Sequence, residues 1–193
     1  MRSLCLGATI LGIVWFTVSV WATTVLEKSF PDLVQEADTI VVGTVTAIET
    51  EQGGEVPFTL VTFGALDIVK GSHQEDELTV SVMGGPAPDG MRLHIAGVPD
   101  FHLGDRMVVF IVGNETHAVP FVGMWQGVYR VVRDVETDTE VMADHAGRPL
   151  TAFPQRSQRG IVHDGEPSRQ AQTGPALTLE AFTQSIVEEL GHE

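Results

Sequence analysis

A mainly β domain flanked by two helices is what this 193-residue chain predicts, on three observations. Runs rich in valine, isoleucine and threonine alternate apolar with polar residues at the period of a strand. Clusters of Gly, Pro, Asn and Asp separate those runs. Helical periodicity is confined to a short segment before them and a longer one after them. Roughly five to seven twisted strands with bulge-type glycines suit a small closed or partly open β-barrel, with an open sandwich as the alternative.

Ser29 caps the first helix, with Pro31 in its first turn, Asp32 near its positive end, and Leu33, Val34 and Ala37 as its apolar face. The period changes at Asp38, and Ile40 to Ile48 reads as a strand interrupted by Gly43, where a bulge or tight bend favours a residue without Cβ. The turn Glu49 to Glu55 leads to a strand from Phe58 to Val69, making a hairpin closed by Lys70-Gly71-Ser72. Glu77 to Met83 alternates Leu78, Val80 and Val82 inward and ends at Gly84-Gly85-Pro86. Met91 to Ile95 is a shorter candidate. The very apolar Met107 to Val112 predicts a central strand buried on both faces. Val119 to Val122 and Gln126 to Val132 follow as strands, and Val141-Met142 pairs back. From 143 to 176 the chain is rich in Gly, Pro, Arg, Gln and Ser and reads as a mobile excursion. Thr178 caps a final amphipathic helix with Leu179, Phe182, Ile186 and Leu190 on one face and Gly191 at its end, so 177–191 should dock on the barrel domain of 23–142.

Residues 1–22 read as a signal peptide: Met1 and Arg2 supply positive charge, Leu4 to Trp21 is apolar, and Val20 and Ala22 place small residues before a cut after Ala22. The localisation expected is secreted or periplasmic, or membrane-anchored if the leader stays uncleaved, since the apolar run nears the ~20 residues that span a bilayer. Cleavage removes Cys5, the only cysteine, so a chain beginning at Thr23 has no disulfide, thiolate ligand or cysteine nucleophile. The formal charge of −15 opposes phosphate backbones and excludes ordinary nucleic-acid binding.

Three runs, Ala37-Asp38-Thr39-Ile40-Val41-Val42-Gly43-Thr44-Val45, Ile68-Val69-Lys70-Gly71 and Gly104-Asp105-Arg106-Met107-Val108-Val109-Phe110, carry a resemblance. They resemble uncharacterised secreted bacterial proteins whose barrel is similar to the netrin-like domain of tissue inhibitors of metalloproteases, over about residues 30 to 132. The resemblance implies an OB-like, netrin-like barrel with an N-terminal and a C-terminal helix, and a protease as protein partner. Every matched residue also has a structural reading: bends at Gly43 and Gly71, an edge charge at Lys70 that blocks sheet-to-sheet pairing, and a turn at Gly104-Asp105. Those inhibitors chelate the protease zinc through an N-terminal cysteine, which a chain beginning Thr23-Thr24 lacks.

No nucleophile elbow, Ser-x-x-Lys motif, phosphate loop or dinucleotide fingerprint occurs, so neither a catalytic residue nor a cofactor is read. The seven histidines show no His-x-His or His-x-x-x-His pair. The metal candidate, and with it an alternative reading as a metal protein or enzyme, is His102 with His117, which flank one strand, and oxygen from Asp100 or Asp105. Asn114-Glu115-Thr116 fits a glycosylation acceptor and equally a turn. Among the aromatics, Phe101 and Phe121 are candidates for exposure, and Trp125 stands between glycines in Gly123-Met124-Trp125-Gln126-Gly127. That turn either presents Met124, Trp125 and Gln126 as a protein-binding anchor or holds a core tryptophan at a bulge. The functional expectation is a secreted, non-enzymatic protein-binding module, with no membrane contact after cleavage. A membrane-tethered structural envelope protein is the remaining alternative.

Overall fold

The computed structural model describes residues 24–51, 56–87, 90–114, 116–155, 161–163 and 174–191; the proposed leader and its cut lie outside them. The described chain is mainly β with two helices: β1 (Thr24–Leu26), α1 (Phe30–Glu36), β2 (Thr39–Glu51), β3 (Phe58–Lys70), β4 (Leu78–Met83), β5 (Gly85–Pro86), β6 (Arg92–Leu93), β7 (Arg106–Ile111), a 3₁₀ turn (Met124–Gly127), β8 (Val128–Arg133), β9 (Glu140–Asp144), β10 (Ile161–His163) and α2 (Leu179–Leu190). Neither helix is long and apolar enough to cross a membrane.

Six strands form one antiparallel sheet in the order β4-β3-β2-β7-β8-β9, while β1 pairs with β10 and β5 with β6 as separate ribbons. The mainly β fold with flanking helices is as expected, and of the barrel forms expected the closed one is excluded, since β4 and β9 do not pair. Each edge spends its ladder groups on a loop rather than on the opposite edge. On β4, Met83 N–H donates to Ala118 O at 2.6 Å and the Asn114 side-chain amide donates to Thr79 O at 2.9 Å. On β9, Met142 N–H donates to Leu177 O, and Leu150 N–H to Met142 O, both at 2.8 Å. Edges covered in this way resist strand addition by a second copy. Replacing Asn114 with alanine should therefore raise self-association through β4, read as a greater concentration dependence of mass in light scattering than the unaltered chain shows; an unchanged mass would show that the loop alone guards the edge.

Alternation along the strands divides the core in two. Ile40, Val42, Val108 and Phe110 turn to one face, where α1 and α2 cover them with Leu33, Val34, Phe182 and Ile186. Val41, Val45, Met107, Val109 and Ile111 turn to the other, joined by Val61, Phe63, Val80 and Val82, and partly closed by Val98, Phe101, Val119 and Phe121 from the connecting loops. β7 is thus buried on both faces, as its unbroken apolar run predicts.

Gly43 sits at a bulge, where pairing steps from Val42↔Asp67 to Thr44↔Gly64. A Cβ there would come within 3.1 Å of both Leu66 and Phe63. α1 carries a capping box between Ser29 and Asp32. Lys70 is not an edge charge: its Nζ donates to the carbonyls of Val34 at 2.8 Å and Gln35 at 3.0 Å, closing the negative end of α1.

Several sequence boundaries move. Met91 to Ile95 contracts to β6, paired with Gly85–Pro86. Val119 to Val122 forms only the single bridge Ile111↔Phe121, since Pro120 has no N–H to donate. The strand expected from Gln126 starts at Val128 because Gly123 and Met124 adopt left-handed φ of 60° and 62°. The excursion expected from Ala143 begins inside β9, and Leu150 and Phe153 pack on the helical side of the core. Residues 161–163 form β10, and residues 156–160 and 164–173 of that excursion lie outside the described residues.

Tyr129, the chain's only tyrosine, is buried beside the helices. Burial first, and the charge of Asp144 second, push its hydroxyl far above its ordinary value of 10.0. The folded state thus holds this proton more tightly than the unfolded chain. Its stabilising contribution is complete below pH ~10 and is lost as pH rises further, at about 1.4 kcal/mol per unit. Tyrosinate absorbance should appear only with alkaline unfolding, and Tyr129→Phe should flatten that part of the stability profile. Ionisation in a still-folded chain would contradict this.

Candidate functional site

The sequence candidates other than His117 lie at one corner of the fold, where the loop before β7, the 3₁₀ turn and the connection after β9 meet. Two consecutive left-handed residues, Gly123 and Met124, turn the chain sharply and drive the Trp125 ring inward. Trp125 is 9% exposed. Its ring lies over Gly97, where a Cβ would come within 2.4 Å of it, and 6.2 Å from the His145 ring. Trp125 is therefore a wedge within the fold, and Met124 beside it is partly buried, its terminal methyl 3.4 Å from where a Cβ on Gly97 would stand. Gly97 combines φ +82° with that contact, so Gly97→Ala should lower stability by about 2–3 kcal/mol and move Trp125. Urea unfolding checks this, and a change under ~0.5 kcal/mol would mean the ring is not held there.

Gln126 is engaged internally. Its Oε1 accepts from Lys28 N–H at 2.8 Å, and its Nε2 donates to Leu26 O at 2.9 Å and Gly123 O at 3.2 Å. Phe101 is half-buried rather than exposed, with its ring 6.3 Å from Phe63 and 5.7 Å from Phe121. Phe121 itself is buried.

Arg130, on β8, joins the loops. Its guanidinium donates to Asp105 Oδ2 at 2.5 Å, to Asp100 O at 2.6 Å and to His145 O at 3.1 Å. His102 stacks onto the same carboxylate: its N–H donates to Asp105 Oδ2 at 3.0 Å, and its Nδ1 lies 3.4 Å from that oxygen. Asp105 thus neutralises a guanidinium, and Asp100 contributes its backbone carbonyl. His117 is held elsewhere, in the turn after β7, with its N–H donating to Gly113 O at 2.8 Å. Among the described residues no three His, Cys, Asp or Glu side chains are grouped to hold a metal ion. His102 and His117 with Asp100 or Asp105 are accordingly not among such groups, and Asp105 Oδ2 is bonded to Arg130.

The motif residues behind the resemblance have structural duties close by. Asp38 Oδ2 accepts from Gly113 N–H at 2.8 Å. Gly104 N–H donates to Val45 O, and Val45 N–H to Asp105 O, both at 2.9 Å. Gly71 has φ +86°, and a Cβ there would stand 2.7 Å from Asp38 O. Sequence reasoning missed Arg130, Gly97 and His145. Arg130 alternates with apolar neighbours like any outward strand residue, so only its tertiary partners distinguish it. A separate groove of about 400 Å³ lies beside the start of α2, with Asp67, Glu140 and Glu180 around Val42 and Leu179. No protein-family model, curated protein or solved structure matches the chain.

Proposed function

We propose that the chain is an exported, non-enzymatic binding module that engages a protein partner outside the cytoplasm through the turn 123–127. The observation that carries this reading is Met124, a non-glycine residue held at φ 62° in a turn where it keeps part of its surface exposed. Left-handed backbone costs such a residue about 1–2 kcal/mol, and strain of this kind gathers where a fold presents a contact. A thioether adapts to irregular partner surfaces, and the buried Trp125 beneath gives it a rigid base. Export is supported by the features of residues 1–22. The netrin-like resemblance supports a protease as partner class, met through this surface rather than through a zinc-chelating cysteine.

The test is capture from extracellular and envelope fractions, and from a panel of purified metalloproteases, by the immobilised protein and its Met124→Asp variant. One protein should bind the unaltered chain and lose about tenfold or more in affinity for the variant. Identical capture by both, or none by either, overturns the proposal.

A further inference from the structure

β1 is set apart from the main sheet. Among the described residues it pairs with β10 alone, Thr24↔His163 to Leu26↔Ile161, and Leu26 leaves 68% of its surface exposed rather than anchoring in the core. The chain after β1 has Glu27 buried and Lys28 paired with Glu36, and its main chain is bonded by a distant side chain. Gln126 accepts from Lys28 N–H at 2.8 Å and donates to Leu26 O at 2.9 Å, while the same Nε2 reaches Gly123 O at 3.2 Å. A single amide therefore joins two segments about a hundred residues apart in sequence, |i−j| being 98 and 100 for the two bonds. Lys28 also closes over Gly123, where a Cβ would meet its Cγ at 3.1 Å. The turn so held is the strained pair Gly123–Met124.

We infer that the amino-terminal strand is a latch on the Met124 turn: Gln126 binds the main chain of Leu26 and Lys28, so displacing residues 24–28 loosens the turn. Gln126 is a positioning residue here, acting on Met124 through the backbone of Gly123. Coupling of this kind is reciprocal, so loosening the turn must also loosen the strand. An element held by main-chain bonds and few buried side chains opens at low cost, which suits a releasable part. The inference rests on the turn being the partner-contact surface: a pre-organised turn binds more tightly than one that must be ordered on contact. An event at the amino terminus, such as leader removal or strand displacement, would thus tune that surface.

Hydrogen exchange read by mass spectrometry tests this on the chain as recovered from its producing cell, unaltered and as Gln126→Ala and Gln126→Glu. Gln126→Glu keeps the acceptor for Lys28 but loses both donations. In each variant, exchange should rise about tenfold at Met124–Val128 and equally at Val25–Lys28, with β7 unchanged. Faster exchange in only one of the two segments overturns the latch. The unaltered protein gives a second reading: in rising urea the two segments should lose protection together and before β7, and loss at different concentrations also overturns the latch. Partner capture is scored on the same samples and should weaken in both variants. Joint loosening with no capture in any form removes the binding reading and leaves the latch standing, whereas capture unaffected by joint loosening removes the latch's effect on binding.

Discussion

Phe182→Ala should lower stability by about 4 kcal/mol, the largest effect expected of any single truncation. Phe182 is fully buried on α2. Its ring lies 5.4 Å from Phe30, 6.3 Å from Phe110, 5.0 Å from Tyr129 and 5.7 Å from Phe153. These partners come from α1, β7, β8 and the chain after β9, so the ring closes the whole helical side of the core. Removing it leaves a cavity that four separate elements would have to shift to fill, and it ends aromatic contacts worth about 0.5–1.5 kcal/mol per pair beyond area. For a chain of this size the midpoint should fall by about 10 °C. Val187, 57% exposed on the same helix, is the control, and its truncation should cost under ~0.5 kcal/mol. Calorimetry on both variants checks the pair. Equal losses would mean that α2 does not dock through Phe182.

Arg130→Met should cost about 3 kcal/mol. The side chain is 17% exposed and Asp105 23%, so methionine preserves much of the volume but strands a sheltered carboxylate. It also leaves the carbonyls of Asp100 and His145 without their donor. Lysine should rescue little, because one ammonium cannot reproduce three donations fanned toward two loops. A cycle with Asp105→Asn should show a coupling of about 1.5–3 kcal/mol in urea unfolding. Additive losses would assign the cost to packing alone. Because Arg130 binds the backbone beside His145, which neighbours Trp125, its loss should also shift the tryptophan environment, whereas Phe182→Ala should not.

The elements were legible where local chemistry decides them. Ser29 with Asp32, Thr178 with Leu179, Phe182 and Ile186, and the unbroken run Met107 to Ile111 each specify a cap or a period within a few residues. The candidate site was legible only in part. Gly123-Met124-Trp125-Gln126-Gly127 declared a turn, and alternation showed Arg130 to be on a strand. The direction Trp125 takes depended on Gly97, and the use of Gln126 on Leu26 and Lys28. His102 and His117 flank one strand in sequence, but adjacency along a chain does not orient side chains, and Arg130 had already claimed Asp105.

By itself the sequence determined a mainly β chain with a helix at each end, a strand buried on both faces and the tight turns. Those follow from side-chain period, capping and backbone freedom, all of which act over a few residues. Only the tertiary structure decided that the sheet stays open, that Lys70 serves α1 rather than an edge, and that Gln126 ties the first strand to a distant turn. Each of these depends on which distant donors reach which acceptors, and that follows from how the strands and helices pack together rather than from any local pattern.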